Sequence, residues 1–64
     1  MEDLIQIIKW RDEIKEVEYT ISRLILAEQL AVDEENYEKA ELALLERGRL
    51  IRRKKYLETK IKNK

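Results

Sequence analysis

Apolar residues in the first half of the chain recur at alternating spacings of three and four, as in a heptad seam of a and d positions. The seam contains one acidic residue and consists of Ile7, Trp10, Ile14, Val17, Ile21, Leu24, Glu28 and Ala31. Leu4, Ile25 and Val32 widen it on one side. Asp3, with Gln6 three residues later, resembles a capping box at a helix start. The pattern predicts a helix from about Asp3 to about Val32.

The seam changes phase after the acidic segment 33–36. If the first phase continued, it would place charged residues in the core, namely Glu35, Glu38, Arg49 and Arg52. A new phase fits better, with core residues Tyr37, Ala40, Leu44 and Ile51 and an adjoining edge of Ala43, Leu50, Leu57 and Ile61. Two helices joined by a turn leave such a pattern. We therefore expect a turn at about 33–36 and a second helix over about 34–62, with Asp33 as its N-cap.

Gly48 lies in the middle of the second predicted helix. We interpret it as a bent or closely packed point, which costs the helix roughly 1 kcal/mol relative to alanine. Two alternatives remain open. Gly48 could end the helix, so that a third helix follows it, or the chain could form one continuous helix without a turn.

The charges are unevenly distributed along the chain. Residues 1–32 carry a net charge of −3, residues 33–46 carry −5 and residues 47–64 carry +8, so the whole chain is neutral. Folding back at 33–36 would lay the basic end beside acidic residues of the first helix, which are Asp3, Asp12, Glu13, Glu16 and Glu18. The sequence thus predicts an all-α protein, a single antiparallel two-helix hairpin domain spanning 1–64.

Each predicted helix carries a second apolar line, away from the first. On the first helix it consists of Ile5, Ile8, Tyr19, Leu26 and Leu30, and on the second of Leu42, Leu45 and Tyr56. A lone hairpin would leave these side chains in water, as apolar patches of the kind that mark interaction sites. The sequence predicts a protein-interaction or assembly module whose partner-binding residues are Ile5, Ile8, Tyr19, Leu26, Leu42, Leu45 and Tyr56. The partner is a second copy, giving a coiled-coil-like four-helix bundle, or another protein.

A basic run supports an alternative function. It comprises Arg47, Arg49, Arg52, Arg53, Lys54 and Lys55. Basic helices bind phosphate backbones, and the neighbouring Tyr56 could stack on an exposed base. The alternative is therefore a small RNA- or DNA-binding helical bundle.

Composition argues against an enzyme. The 64 residues include no Cys, His or Pro and a single Gly, which leaves no thiol nucleophile, no imidazole base or zinc ligand and no glycine-rich phosphate loop. The acidic residues near the turn lack the spacing of a calcium loop. We expect no catalytic residues, metal, cofactor or small-molecule substrate.

There is also no apolar run of about 20 residues and no signal peptide, so we expect no membrane association and a cytoplasmic protein by default.

One short segment resembles a known motif. Residues 35–40, Glu-Asn-Tyr-Glu-Lys-Ala, are similar to the start of the second helix of the UVR helical-hairpin motif. That motif continues with Leu-Arg-Asp, whereas this chain has Ala43, Leu44 and Leu45 at the corresponding positions. The length and hairpin pattern are also similar to Rop-type RNA-binding bundles and to small hairpin chaperones of secretion systems, without a shared motif. We assign no family on these grounds.

Overall fold

The protein is a hairpin of two long antiparallel helices. A computed structural model describes residues 2–63, with α1 over Glu2–Asp33 and α2 over Tyr37–Lys62. The helices pack along each other in a body whose Cα atoms extend 51 × 14 × 11 Å. The radius of gyration is 14.8 Å, whereas a compact 64-residue domain would have about 10.7 Å. The prediction of an all-α helical hairpin is confirmed.

The seam predicted for α1 is the face that packs on α2. Val17 and Ala31 are buried, and the other seam residues, including Trp10 and Glu28, are half-buried. The predicted capping box at Asp3 is wrong. α1 begins at Glu2, so Asp3 lies within the first turn of the helix and is not its N-cap. The alternating three-and-four spacing was sufficient to identify this face because only one of its positions is polar.

The end of α1 is a Schellman turn. The Asn36 amide donates to the Ala31 carbonyl at 2.8 Å, and the Glu35 amide donates to the Val32 carbonyl at 2.9 Å. Glu35 has a φ of 59°, the left-handed conformation that normally favours glycine at this position. The turn therefore forms without glycine, which is why no turn residue marks it in the sequence.

The prediction that Asp33 caps the second helix is wrong. Asp33 is the last residue of α1, and the N-cap of α2 is Asn36, whose side-chain oxygen accepts a hydrogen bond from the Lys39 amide at 3.3 Å. Asn36 therefore both closes the Schellman turn and opens α2. Glu38 in the first turn adds a favourable interaction with the helix dipole.

The core face predicted for α2 is only partly correct. Ala40 is buried as expected, but Tyr37, Leu44 and Ile51 are exposed. The packed face instead combines Ala40 and the predicted adjoining edge with two cations. It is a series at three-and-four spacing that consists of Ala40, Ala43, Arg47, Leu50, Lys54, Leu57 and Ile61. Arg47 and Lys54 interrupt its apolar pattern, because long cationic side chains can bury their aliphatic stems and keep the charge in water.

Gly48 lies inside α2, which continues through it, so neither the helix end nor the third helix occurs. It is not a close-packed point either, since a Cβ built there would have no atom within 4 Å. We expect Gly48→Ala to raise the free energy of unfolding by about 1 kcal/mol, because alanine loses less backbone entropy in a helix. Chemical denaturation followed by circular dichroism measures the change. Lower stability in the alanine variant would mean that something outside this chain packs on Gly48.

Candidate interaction surfaces

The packed faces of the two helices are joined by a charged pair inside the seam. Arg47 Nη1 lies 3.1 Å from Glu28 Oε1, and the side chains are 26% and 25% exposed. With seam residues labelled a and d, both belong to position a of their heptads. We expect this pair to help set how far α2 is displaced along α1.

A second pair marks one edge of the interface between the helices. Arg53 donates to Glu13 from Nε at 2.7 Å and from Nη2 at 3.3 Å, and both residues occupy position g. This bidentate hydrogen bond holds the pKa of Glu13 below its ordinary value of 4.5 and raises the pKa of Arg53. In an antiparallel pair, position g of one helix therefore lies beside position g of the other.

Position e of both helices must consequently line the opposite edge. Lys54 reaches Glu18, an e residue, with Nζ 2.9 Å from Oε2, and the hydrogen bond it donates raises the pKa of Lys54. Towards the turn, the e positions are apolar. They form what we call the side strip, with exposures of 37–64%, and its members are Ile25, Val32, Tyr37, Leu44 and Ile51.

The side strip was not predicted as a surface, because three of its five members were assigned to the core of the second helix. A spacing of seven residues connects its members within each helix, from Ile25 to Val32 and from Tyr37 through Leu44 to Ile51. A face that combines a, d and e positions is typical of helices in a bundle, not of an isolated pair.

The predicted partner-binding residues are all exposed, by 50–66%, namely Ile5, Ile8, Tyr19, Leu26, Leu42, Leu45 and Tyr56. They occupy heptad positions b, c and f, which point away from the neighbouring helix. The structure therefore divides them between an outer face of α1 and an outer face of α2, on opposite sides of the hairpin. It does not bring the two groups together.

Shallow depressions lie on both outer faces. On α2, one of about 340 Å³ is lined by Leu42, Leu45, Glu46, Arg49 and Arg52. On α1, one of about 350 Å³ is lined by Arg23, Leu26, Ala27 and Leu30. Both are open grooves between neighbouring side chains of a single helix, without the enclosure that a small-molecule site provides.

Most cations of the basic run form ion pairs within the chain. Arg47, Arg53 and Lys54 pair with acidic residues of α1, and Arg49 lies 3.6 Å from Glu46 of its own helix. Only Arg52 and Lys55 of the run form no ion pair with another described residue. The run therefore offers fewer unpaired cations than its sequence suggests.

Tyr56, the candidate base-stacking residue beside this run, is flanked by two cations. Arg53 and Lys60 each lie 5.4 Å from the centre of its ring. Contacts at this distance are within the range of cation–π interactions. A nucleic-acid base that stacks on Tyr56 would therefore compete with these cations for the ring.

The pKa shift of Glu13 gives a pH dependence with a defined sign. Because its folded-state pKa is lowered, its stabilising contribution is present above 4.5 and is lost as the pH falls below that value. We expect Glu13→Gln to lower the melting temperature slightly at pH 7, and we expect this difference to decrease as the pH is lowered below 4.5. Thermal melts at a series of pH values on both sides of 4.5 test this. Glu16→Gln serves as a control, since Glu16 forms no ion pair with another described residue, and an equal effect of both variants would contradict the assignment.

Within residues 2–63, no group of three or more acidic side chains is arranged to hold a metal ion. Neither α1 nor α2 combines the length and apolarity needed to cross a membrane.

Comparison with known proteins assigns no family. No protein-family model matches the chain, and neither a curated protein nor a solved structure matches it. The surfaces described above are therefore the basis for any functional conclusion.

Proposed function

We propose that this chain is a non-enzymatic interaction module, which assembles through apolar faces of its helical hairpin with a second copy of itself or with another protein. The observation that carries the proposal is the amount of uncovered surface. The hairpin exposes 5426 Å² for a mass of 7.8 kDa, whereas a globular monomer of that mass exposes about 4,400 Å². The excess of about 1,000 Å² is comparable to the roughly 800 Å² that each partner contributes to a standard interface.

The composition of that surface supports the same conclusion. Five hydrophobic residues form the core of the described chain, and three of them are alanines: Val17, Ala31, Ala40, Ala43 and Leu57. Fourteen large hydrophobic residues of the same described part are exposed. Since a core this small provides little stability on its own, burial of part of this surface would contribute substantially to the stability of the fold.

The first experiment is a measurement of molar mass and thermal stability over a wide range of concentration. We expect light scattering to give at least twice 7.8 kDa at micromolar concentration. The unfolding midpoint should rise with concentration, because association stabilises the folded state by mass action. A folded monomer whose midpoint does not depend on concentration would rule out self-association and would leave binding to another protein as the proposed function.

Titration of a labelled RNA and a labelled DNA duplex at several salt concentrations tests the alternative. Six phosphate contacts on duplex DNA would give a slope of log affinity against log salt near −5, whereas the two unpaired cations of the run would give about −2. A slope near −5 in a chain that stays monomeric would replace the interaction module with a nucleic-acid-binding function.

A further inference from the structure

We infer that the side strip binds a second copy of this chain. The two copies pack antiparallel, with the acidic turn of each copy beside the basic segment of the other. The inference rests on the proposed function and deepens it by naming the face, the partner and the orientation. The product is a four-helix bundle with twofold symmetry.

The side strip is the face that a bundle requires. In a four-helix bundle each helix contacts two neighbours, so its apolar face extends from a and d to an adjoining e or g position. Here the e positions of both helices lie on the same side of the hairpin and continue directly from the packed seam. A second hairpin placed against this side would extend an existing interface and would not create a separate one.

The opposite edge of the hairpin, which the g positions form, offers no comparable apolar face. The g positions from Gln6 to Lys60 are mainly polar or charged, namely Gln6, Glu13, Thr20, Ala27, Lys39, Glu46, Arg53 and Lys60. Glu13 and Arg53 there already satisfy each other. The contrast between the two edges selects one side of the hairpin for association.

Charge selects the orientation. The strip runs from the turn to Ile51, about 21 Å along α2 at 1.5 Å per residue. Two strips can overlap with the turns side by side or with the turns pointing in opposite directions. The first arrangement would place two segments 33–46, each with a net charge of −5, next to each other. The second places residues 33–41, which carry a net charge of −4, beside residues 47–55 of the other copy, which carry +6, so it is favoured electrostatically.

The antiparallel arrangement defines which residues meet. The twofold axis passes near the middle of the strip on α2, which is Leu44. Each Leu44 then faces its counterpart, and Tyr37 lies at the level of Ile51 of the other copy. In the side-by-side arrangement, α2 would instead lie over α1 of the other copy and the two Leu44 residues would be separated laterally.

Sedimentation equilibrium of three single variants tests the face. Leu44→Glu places a carboxylate in the proposed interface and should weaken dimerisation on the order of 100-fold or more. Thr20→Glu places a carboxylate on the opposite edge and should leave dimerisation unchanged, whereas Leu45→Glu tests the outer face of α2 as the competing interface. If Leu45→Glu abolishes the dimer and Leu44→Glu does not, the inference is overturned while the proposed function stands. A monomeric unmodified chain would overturn the inference and would leave association with another protein as the remaining form of the proposed function.

Disulfide crosslinking tests the orientation and does not depend on the stability of the Leu44→Glu variant. The chain contains no cysteine, so each single substitution introduces a unique thiol. Leu44→Cys should form a covalent dimer rapidly under mild oxidation, since the two thiols would lie near the axis. Glu46→Cys, on the opposite edge at nearly the same height, is the control. Equal crosslinking of both variants, or none with Leu44→Cys in a chain that dimerises, would overturn the arrangement.

Discussion

Leu57→Ala is expected to leave most of the chain unfolded at 25 °C. Among the described residues, Leu57 is the only large side chain that is completely buried, with 0% exposure. Truncation of a buried leucine to alanine costs about 2–5 kcal/mol. A single core in a chain of this size rarely supplies more than about 3–5 kcal/mol. The loss is therefore comparable to the whole stability of the hairpin.

Urea titration followed by circular dichroism and by the fluorescence of Trp10 measures this loss. Trp10 is the single tryptophan and is half-buried in the seam, so its emission reports separation of the helices. Leu42→Ala is the matched control on the same helix, because Leu42 is 66% exposed. It should change the free energy of unfolding by less than about 0.5 kcal/mol. Similar losses in both variants would mean that Leu57 is not the centre of the core.

The packing of α1 could be derived from the sequence because its seam is almost entirely apolar. The packing of α2 could not be derived from the sequence, because Arg47 and Lys54 occupy two of its a positions. A count of apolar residues then favours the neighbouring line through Tyr37, Leu44 and Ile51. The cations are accommodated at the seam because their aliphatic stems pack there while their charges reach Glu28 and Glu18 of α1. This pairing depends on the register of the folded hairpin, which no local pattern contains.

The turn, too, could be predicted from the sequence only in part. Its position followed from the change of phase and from the charge distribution. Its chemistry did not follow, since Glu35 takes the left-handed conformation that usually indicates glycine. Several residues of segment 33–36 are plausible caps, and hydrogen bonds with the preceding helix decide between Asp33 and Asn36.

The exposed apolar positions were predictable one residue at a time, but their arrangement was not. The second apolar lines lie on the outer faces as their periodicity implies. The side strip became visible only when the packed face of α2 was known, because the same residues had been placed in the core. Because the predicted core of α2 lay on the wrong face of the helix, residues of an exposed association surface were assigned to the interior.

The pair Glu28–Arg47 provides the second large expected effect. Replacing both residues with leucine should raise the free energy of unfolding of the hairpin by about 1–3 kcal/mol, because an apolar pair avoids the desolvation of two partly buried charges. Glu28→Gln alone should lower it by about 1 kcal/mol, since Arg47 loses its charged partner. The corresponding changes at Glu46 and Arg49, an exposed pair at 3.6 Å, should have little effect.

The reason to retain a costly pair in the seam is specificity. Polar residues at a positions fix the register and the oligomeric state of packed helices at the expense of stability. We therefore expect the doubly leucine-substituted chain to be more stable but less uniform, with a mixture of oligomers in light scattering where the unmodified chain gives a single species. If the variant is both more stable and equally uniform, the pair does not set the register, and the remaining pairs of α2 with Glu13 and Glu18 are sufficient to do so.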